Sequence, residues 1–195
     1  AQLARIRAHG IPLTIIVDKV AASGGYLMAA LGNKILAAPF ALIGSIGVLA
    51  QLPNFHRFLK HHNVDFEQLS AGEFKRTLTM FGENTSKGRD KMQQELEDIH
   101  SHFKQYIQHY RPQLDLAKVA TGEYWLGLHA LNLGLIDGIT TSDDYLLDLK
   151  DTHALFEISH QRPKPLIEKI VQGAQNMIQD SLMTLRKKDT EPPLL

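Results

Sequence analysis

The segment that most restricts the fold of this 195-residue chain is a short β-branched run at positions 13–17. Its sequence, LTIIV, contains no charged residue and follows Pro12. An unbroken apolar run of this length is typical of a strand in a sheet that is covered on both faces. A second buried strand is predicted at 33–38. Because helical segments alternate with these strands, the pattern predicts an α/β fold.

The remaining elements are predicted from hydrophobic periodicity and from residues that end helices. Helices are predicted at 1–9, 53–62, 86–110, 116–121, 126–133 and 143–149, with a short apolar helix after Ser23. Further strands are predicted at 64–69, 136–139 and 155–159. Loops are predicted at 18–22 and 71–80, and a tight turn at 44–48.

Residues 1–160 are expected to form one domain, and residues 161–195 a C-terminal helical extension with a flexible tail. Pro163 and Pro165 mark the boundary. The segment 166–185 is amphipathic, which favours packing on a second copy of the chain, with a membrane surface as the alternative. The last ten residues, RKKDTEPPLL, are predicted to be disordered.

The most apolar stretch, at 35–52, has the length of a membrane span. Pro39, Gly44 and Gly47 interrupt it, and no basic cluster flanks it. We therefore predict a buried strand, a turn and a strand at this place rather than a transmembrane helix.

Residue counts argue against several classes of protein. Lys and Arg number 21, as do Asp and Glu, so no basic field would attract nucleic acid. The chain has no cysteine, which excludes disulfides, thiolate zinc sites and cysteine nucleophiles. None of the ten histidines lies in a recognisable triad motif, and all are predicted at the surface. His100 and His102 would point to different faces of a helix, so no metal site and no cofactor are predicted.

The most informative segment for function is ASGGY at 22–26. It puts Ser23 at the first turn of an apolar helix, before two glycines that leave room for a substrate backbone. The N-terminus of a helix offers free N–H groups and partial positive charge, which suit a developing oxyanion. The N–H of Gly24 is the natural donor. An ordinary helix N-cap is the alternative interpretation of Ser23.

A serine nucleophile needs a base, and lysine can serve where burial lowers its pKa toward neutrality. Lys75 lies in SAGEFKRTLTMF, among glycine, aromatic and apolar residues that could bury it. A solvated surface charge is the alternative for this lysine, and the residues alone leave both interpretations open.

Six blocks of the sequence resemble, in the same order, the signal peptide peptidase A family, and most closely its SohB-like branch. The blocks are VAASGGYLMAA at 20–30, GSIGV at 44–48, SAGEFKRTLTMFGENTSKGR at 70–89, FKQYIQHYRP at 103–112, ATGEYWLGLHALNLGLID at 120–137 and TSDDYLL at 141–147. Several separate blocks in one order are far more specific than a single motif. The resemblance therefore favours the functional interpretation of both Ser23 and Lys75.

The resemblance implies a Ser–Lys dyad in which Ser23 is the nucleophile and Lys75 is the general base, without metal or cofactor. It implies that Ser45 orients the lysine amine, and a turn residue bonded to its own backbone is the alternative. It also implies a fold like that of Clp protease and crotonase, a β-β-α superhelix. Members of the family form rings, in which the serine and the lysine can come from neighbouring protomers.

Family members also carry an upstream strand and glycine-rich loop that supply the other half of the oxyanion hole, and a membrane anchor. We expect both to precede residue 1, so the N-terminal part of the catalytic domain is expected to lie outside this chain. The resemblance further implies a bacterial inner-membrane location with the catalytic domain on the periplasmic face.

The resemblance implies the function of a serine endopeptidase that cleaves short hydrophobic peptides, such as signal-peptide remnants left in the membrane. One alternative is a crotonase-like acyl-CoA enzyme, which shares the fold but needs no serine–lysine pair. The other is a non-catalytic, ring-forming membrane scaffold. No nucleic-acid partner is predicted.

Overall fold

The computed structural model of the chain describes residues 1–160, of which Ala1–His153 form one compact unit. Its helices are α1 (Gln2–Ala8), α2 (Gly24–Ala29), α3 (His56–His61), α4 (Ser86–Tyr110), α5 (Leu116–Val119), α6 (Gly127–Asn132) and α7 (Ser142–Leu149). Its strands are β1 (Thr14–Val17), β2 (Val20–Ala22), β3 (Lys34–Ala37), β4 (Leu42–Gly44), β5 (Tyr124–Leu126) and β6 (Gly138–Ile139). Residues 154–160 contain no helix or strand.

The strands form two sheets of three strands each. In the first sheet, ordered β1–β3–β6, all neighbours are parallel, and Thr14 pairs with Lys34. In the second, ordered β2–β4–β5, strands β2 and β4 are parallel and β5 is antiparallel to β4. Parallel strands joined through helices confirm the predicted α/β class.

The structure differs from the predicted elements where a strand depends on a distant partner. The predicted loop at 18–22 contains β2, because Val20–Ala22 pairs with Leu42–Gly44. Strand β5 was not predicted, and it too exists through pairing with β4. The strands predicted at 64–69 and 155–159 are wrong, since neither segment forms a ladder with a described residue. Periodicity shows an apolar run, but it does not identify the neighbour that would pair with it.

The core combines side chains from both sheets with side chains from helices α2, α4 and α6. Its largest fully buried side chains are Tyr26, Ile35, Ile43, Ile46, Ile107, Val119 and Leu135. Helix α4 has the predicted bounds and contributes Phe103 and Ile107 from its apolar stripe. Strand β1 is less buried than predicted, because it is the edge strand of its sheet and only Val17 is fully enclosed.

The apolar stretch at 35–52 contains β3, β4 and irregular backbone, as its Pro and Gly residues predicted. Across residues 1–160, no helix combines the length and the apolar character needed to cross a membrane. The amphipathic segment predicted at 166–185 and the tail after it lie outside the described residues.

An ion pair between a buried arginine and a partly exposed aspartate joins the end of α4 to the segment before β6. Arg111 is 4% exposed, and its guanidinium donates to both carboxylate oxygens of Asp137, at 2.8 and 2.7 Å, and to the Gly134 carbonyl. The same carboxylate accepts the N–H of Ile35 in β3 at 2.7 Å. Burial alone would raise the pKa of Asp137, but these hydrogen bonds and the charge of Arg111 outweigh it, so the pKa is lowered.

We expect Asp137→Asn to lower the free energy of unfolding by about 2 kcal/mol, because the buried guanidinium of Arg111 loses its charged partner, whose own charge is screened in part by solvent. The folded pKa of Asp137 is lowered, so its contribution is complete above the unfolded pKa of about 4 and is lost as the pH falls through the folded value. Urea unfolding should therefore separate wild type from variant widely at pH 7 and less at pH 3.

Asp148→Asn is the matched control, because the side chain of Asp148 is exposed on α7 and forms no hydrogen bond or ion pair with a described residue. Its effect on the free energy of unfolding should stay within about 0.5 kcal/mol. Equal stability of the two variants at pH 7 would contradict the role assigned to the ion pair.

Candidate active site

Ser23 lies between the last residue of β2 and the first residue of α2. The register of β2 and β4 pairs Ala22 with Gly44, so the residues that follow, Ser23 and Ser45, lie at neighbouring carboxyl ends of two parallel strands. The N–H of Ser23 donates to the Gly44 carbonyl at 2.8 Å, which continues the pairing into the turn. The strand pairing therefore brings the two serines side by side.

Both serines have a left-handed backbone, with φ of 51° at Ser23 and 50° at Ser45. This conformation is uncommon outside glycine and costs on the order of 1–3 kcal/mol. At Ser23 it makes a sharp turn from strand to helix, and the residue is exposed, whereas Ser45 is half-buried. Strained backbone of this kind concentrates at functional sites, so both positions are candidates for chemistry.

The hydroxyl groups of the two serines are not used to build local structure. Ser23 occupies the N-cap position of α2, but its side chain makes no capping hydrogen bond. No described residue forms a hydrogen bond with either hydroxyl. Ser23 therefore has the position of an N-cap but its side chain does not cap the helix, and the hydroxyl of Ser45 is not bonded to its own turn.

Ser23, Gly24 and Ser45 line one cleft of about 690 Å³. Helices α2 and α4, the segment after β4 and the loop before β5 complete its wall with Leu27, Gly47, Val48, Leu49, Ile99, His100, Phe103, Thr121 and Gly122. Most of these side chains are apolar. A hydroxyl beside an apolar wall suits a ligand that places apolar groups next to the reacting atom.

Gly24 supplies an N–H group at the edge of this cleft. The first N–H groups of a helix have no acceptor within the helix, and no described residue outside α2 accepts a hydrogen bond from this one. A Cβ atom on Gly24 or Gly25 would meet open space, so nothing obstructs the surface beside Ser23. A free N–H directly after a nucleophile has the position that an oxyanion donor requires.

The segment after β4 is held against the segment before β5 by close backbone contacts. A Cβ atom on Gly47 would lie 2.8 Å from the Cα of Gly122, a distance that only glycine permits. The N–H of Ser45 donates to the Glu123 carbonyl at 2.6 Å, and the N–H of Gly122 donates to the Ile46 carbonyl at 3.2 Å. These contacts fix the backbone that carries Ser45.

Lys75 does not line the cleft that contains Ser23. It is exposed on the loop between α3 and α4, where a second cleft of about 650 Å³ is lined by Lys75, Phe66, Arg76 and Phe81 among others. The two clefts have no lining residue in common. Within one chain, Ser23, Gly24 and Ser45 are together and Lys75 is apart, so the pairing of Ser23 with Lys75 stays a prediction.

The loop that carries Lys75 is attached to the start of α4. Glu73 forms an ion pair with Lys87, and the ammonium of Lys87 lies 5.5 Å from the ring centroid of Phe74. The side chain of Asn84 also bonds the backbone of Thr79, at 2.8 and 3.0 Å. Lys75 therefore stands on an anchored loop whose outer face is exposed.

His100 is a cleft residue that no sequence motif indicates. It was predicted at the surface, but it is half-buried and its Nε2 lies 3.2 Å from the Ile46 carbonyl. Its spacing from Phe103 and Ile107, three and seven residues, was the available signal, because these intervals put it on the buried face of α4. Among the described residues no group of three or more His, Cys, Asp and Glu side chains could hold a metal ion.

Comparison with known proteins agrees with the blocks found in the sequence. The profile of peptidase family S49 matches residues 5–155. A Haemophilus influenzae protein named "Probable protease SohB" is 53% identical over 175 residues, which cover 90% of this chain and 50% of that protein. A protein of the same name from Buchnera aphidicola subsp. Acyrthosiphon pisum is 45% identical over 185 residues, covering 95% of this chain and 55% of the relative.

The chain thus spans about half the length of the curated relatives it matches. The family profile extends across both strand-paired serines, the Lys75 loop and helix α4. The similarity therefore includes every residue of the candidate site, and the chain belongs to peptidase family S49.

Proposed function

We propose that this chain carries the nucleophile and an oxyanion donor of a serine endopeptidase. The observation that carries the proposal is Ser23, an exposed serine with a strained backbone that lines an apolar cleft beside the free N–H of Gly24. Membership of peptidase family S49 supports it. Because the chain spans about half of its relatives, the activity is proposed for the full-length protein.

In the proposed mechanism, the hydroxyl of Ser23 gives its proton to a neutral lysine amine while its oxygen attacks a peptide carbonyl. The N–H of Gly24 stabilises the negative charge on the carbonyl oxygen, together with an upstream donor. The protonated lysine then transfers the proton to the departing amine, which leaves an acyl group on Ser23. The same lysine next deprotonates water, which releases the acid and restores the serine.

The proposed base is Lys75 of a neighbouring copy of the chain. Two observations support this arrangement: Ser23 and Lys75 line separate clefts within one chain, and Lys75 stands on an exposed, anchored loop. In a ring with head-to-tail contacts, the Lys75 loop of each copy would lie against the Ser23 cleft of the next copy. Ser45, beside Ser23, would then orient the incoming amine.

The proposed substrates are short hydrophobic peptides such as signal-peptide remnants, because the wall beside Ser23 is largely apolar. The β-β-α superhelix, the anchor at the bacterial inner membrane and the periplasmic location of the catalytic domain belong to the same proposal. The family membership and the six sequence blocks support them.

A serine-reactive fluorophosphonate is expected to label Ser23 in the full-length protein, with one adduct found by intact mass and peptide mapping. Ser23→Ala should remove the adduct, and Lys75→Ala should slow labelling by about 100-fold or more, because the base is lost. Ser101→Ala, at an exposed position of α4, should react like wild type. Wild-type protein without an adduct would contradict the peptidase and favour the acyl-CoA enzyme or the scaffold.

Mixed assembly tests whether the site is shared between copies. Ser23→Ala subunits and Lys75→Ala subunits are each expected to be inactive, but a random equal mixture should recover about a quarter of the sites, because intact Lys75 meets intact Ser23 across an interface. A mixture of either single variant with the Ser23→Ala/Lys75→Ala double variant should recover no active sites. A mixture that stays inactive, although it assembles, would indicate a dyad within one chain.

Ser45→Ala and Ser45→Gly separate the chemical role of the Ser45 hydroxyl from the strain in the Ser45 backbone. Both variants should lower kcat by about 10–100-fold with little change in KM, because the amine loses its orienting hydroxyl. Only Ser45→Gly should also raise the free energy of unfolding, by about 1 kcal/mol, since glycine adopts φ of 50° without strain. Full activity in both variants would remove Ser45 from the site.

A further inference from the structure

Resting on the proposed function, we infer that His100 is a positioning residue, which donates a hydrogen bond from Nε2 to the Ile46 carbonyl and so holds the strained turn that carries Ser45. His100 lies on α4, 54 positions from Ile46 in the sequence. The contact therefore exists only because the helix packs against the cleft.

The chemistry of the contact assigns the tautomer of the ring. A carbonyl oxygen can only accept a hydrogen bond, so Nε2 of His100 must carry the hydrogen in the 3.2 Å contact with Ile46. Both the neutral Nε2–H tautomer and the doubly protonated ring carry this hydrogen. The donated hydrogen bond is therefore independent of the charge on the ring.

The turn at residues 45–47 needs such a support because its backbone is strained. Ser45 has φ of 50°, and residues of this kind keep their conformation only when the surroundings hold them. Two backbone hydrogen bonds hold the turn: the N–H of Gly122 donates to the Ile46 carbonyl, and the N–H of Ser45 donates to the Glu123 carbonyl. Among the described residues, His100 is the only side chain that forms a hydrogen bond with this turn.

His100 also lines the cleft, between Ile99 and Phe103 on the same helix. Its Nε2 therefore forms its hydrogen bond within the wall of the cleft, with Ile46, the residue that follows Ser45. Loss of this donor would leave the carbonyl of Ile46 with the single N–H of Gly122 and would allow the turn to shift. A shift of about 1 Å in a catalytic group can cost about 100-fold in rate.

The test compares His100→Gln, whose amide can reach as far as Nε2, with His100→Asn, whose amide is too short, and His100→Leu, which has no donor. In the full-length protein, His100→Leu and His100→Asn should lose about 10–100-fold in kcat with KM changed by less than about threefold. His100→Gln should stay within about threefold of wild type, with the same pH profile. His102→Leu is the control, because His102 is exposed on the same helix and outside the cleft.

Hydrogen exchange provides a readout that does not depend on peptidase activity. The amides of Gly47 and Gly122, which bond the carbonyls of Ser45 and Ile46, should exchange faster in His100→Leu and at the wild-type rate in His100→Gln. Unchanged exchange in His100→Leu, full activity in that variant, or a His100→Gln variant as impaired as His100→Leu would each overturn the inference. If wild type itself lacks activity, the peptidase proposal fails, and the exchange rates alone decide whether His100 holds the turn.

Discussion

The candidate site depends on the parallel pairing of β2 with β4. Both strands are only three residues long, and their register makes Ala22 and Gly44 partners. Because each strand then turns through a left-handed serine, the two hydroxyls arrive at the same edge of the sheet. A slip of one residue would reverse the faces of the strand and separate the serines, so register rather than composition determines the site.

Helix α4 connects the stability of the fold with the shape of the cleft. Phe103 and Ile107 pack in the core, and Arg111, directly after the helix, is held by Asp137. The preceding turns of the helix present Ile99 and His100 to the cleft. Helix α4 is therefore held at its C-terminal end by an ion pair, and its middle turns form part of the wall of the cleft.

Local elements were predictable where the signal lies within a few residues. The bounds of α4 follow from its apolar stripe, from the threonine that caps it and from Pro112. Strand β1 follows from its β-branched run, although its partial burial reflects its place at the edge of the sheet. Strands β2 and β5 have no comparable local signal, because three-residue segments become strands only through their hydrogen-bonded neighbours.

The sequence alone determined the α/β class, the family, and a serine followed by a free N–H at the start of an apolar helix, since these features depend on adjacent residues and on ordered motifs. Only the tertiary structure decided which residues share the cleft. It brought His100 to Ile46 across 54 positions, and it separated Lys75 from Ser23 within one chain. The physical reason is that strand register and helix packing join residues far apart in the chain, and no local pattern encodes which of them meet.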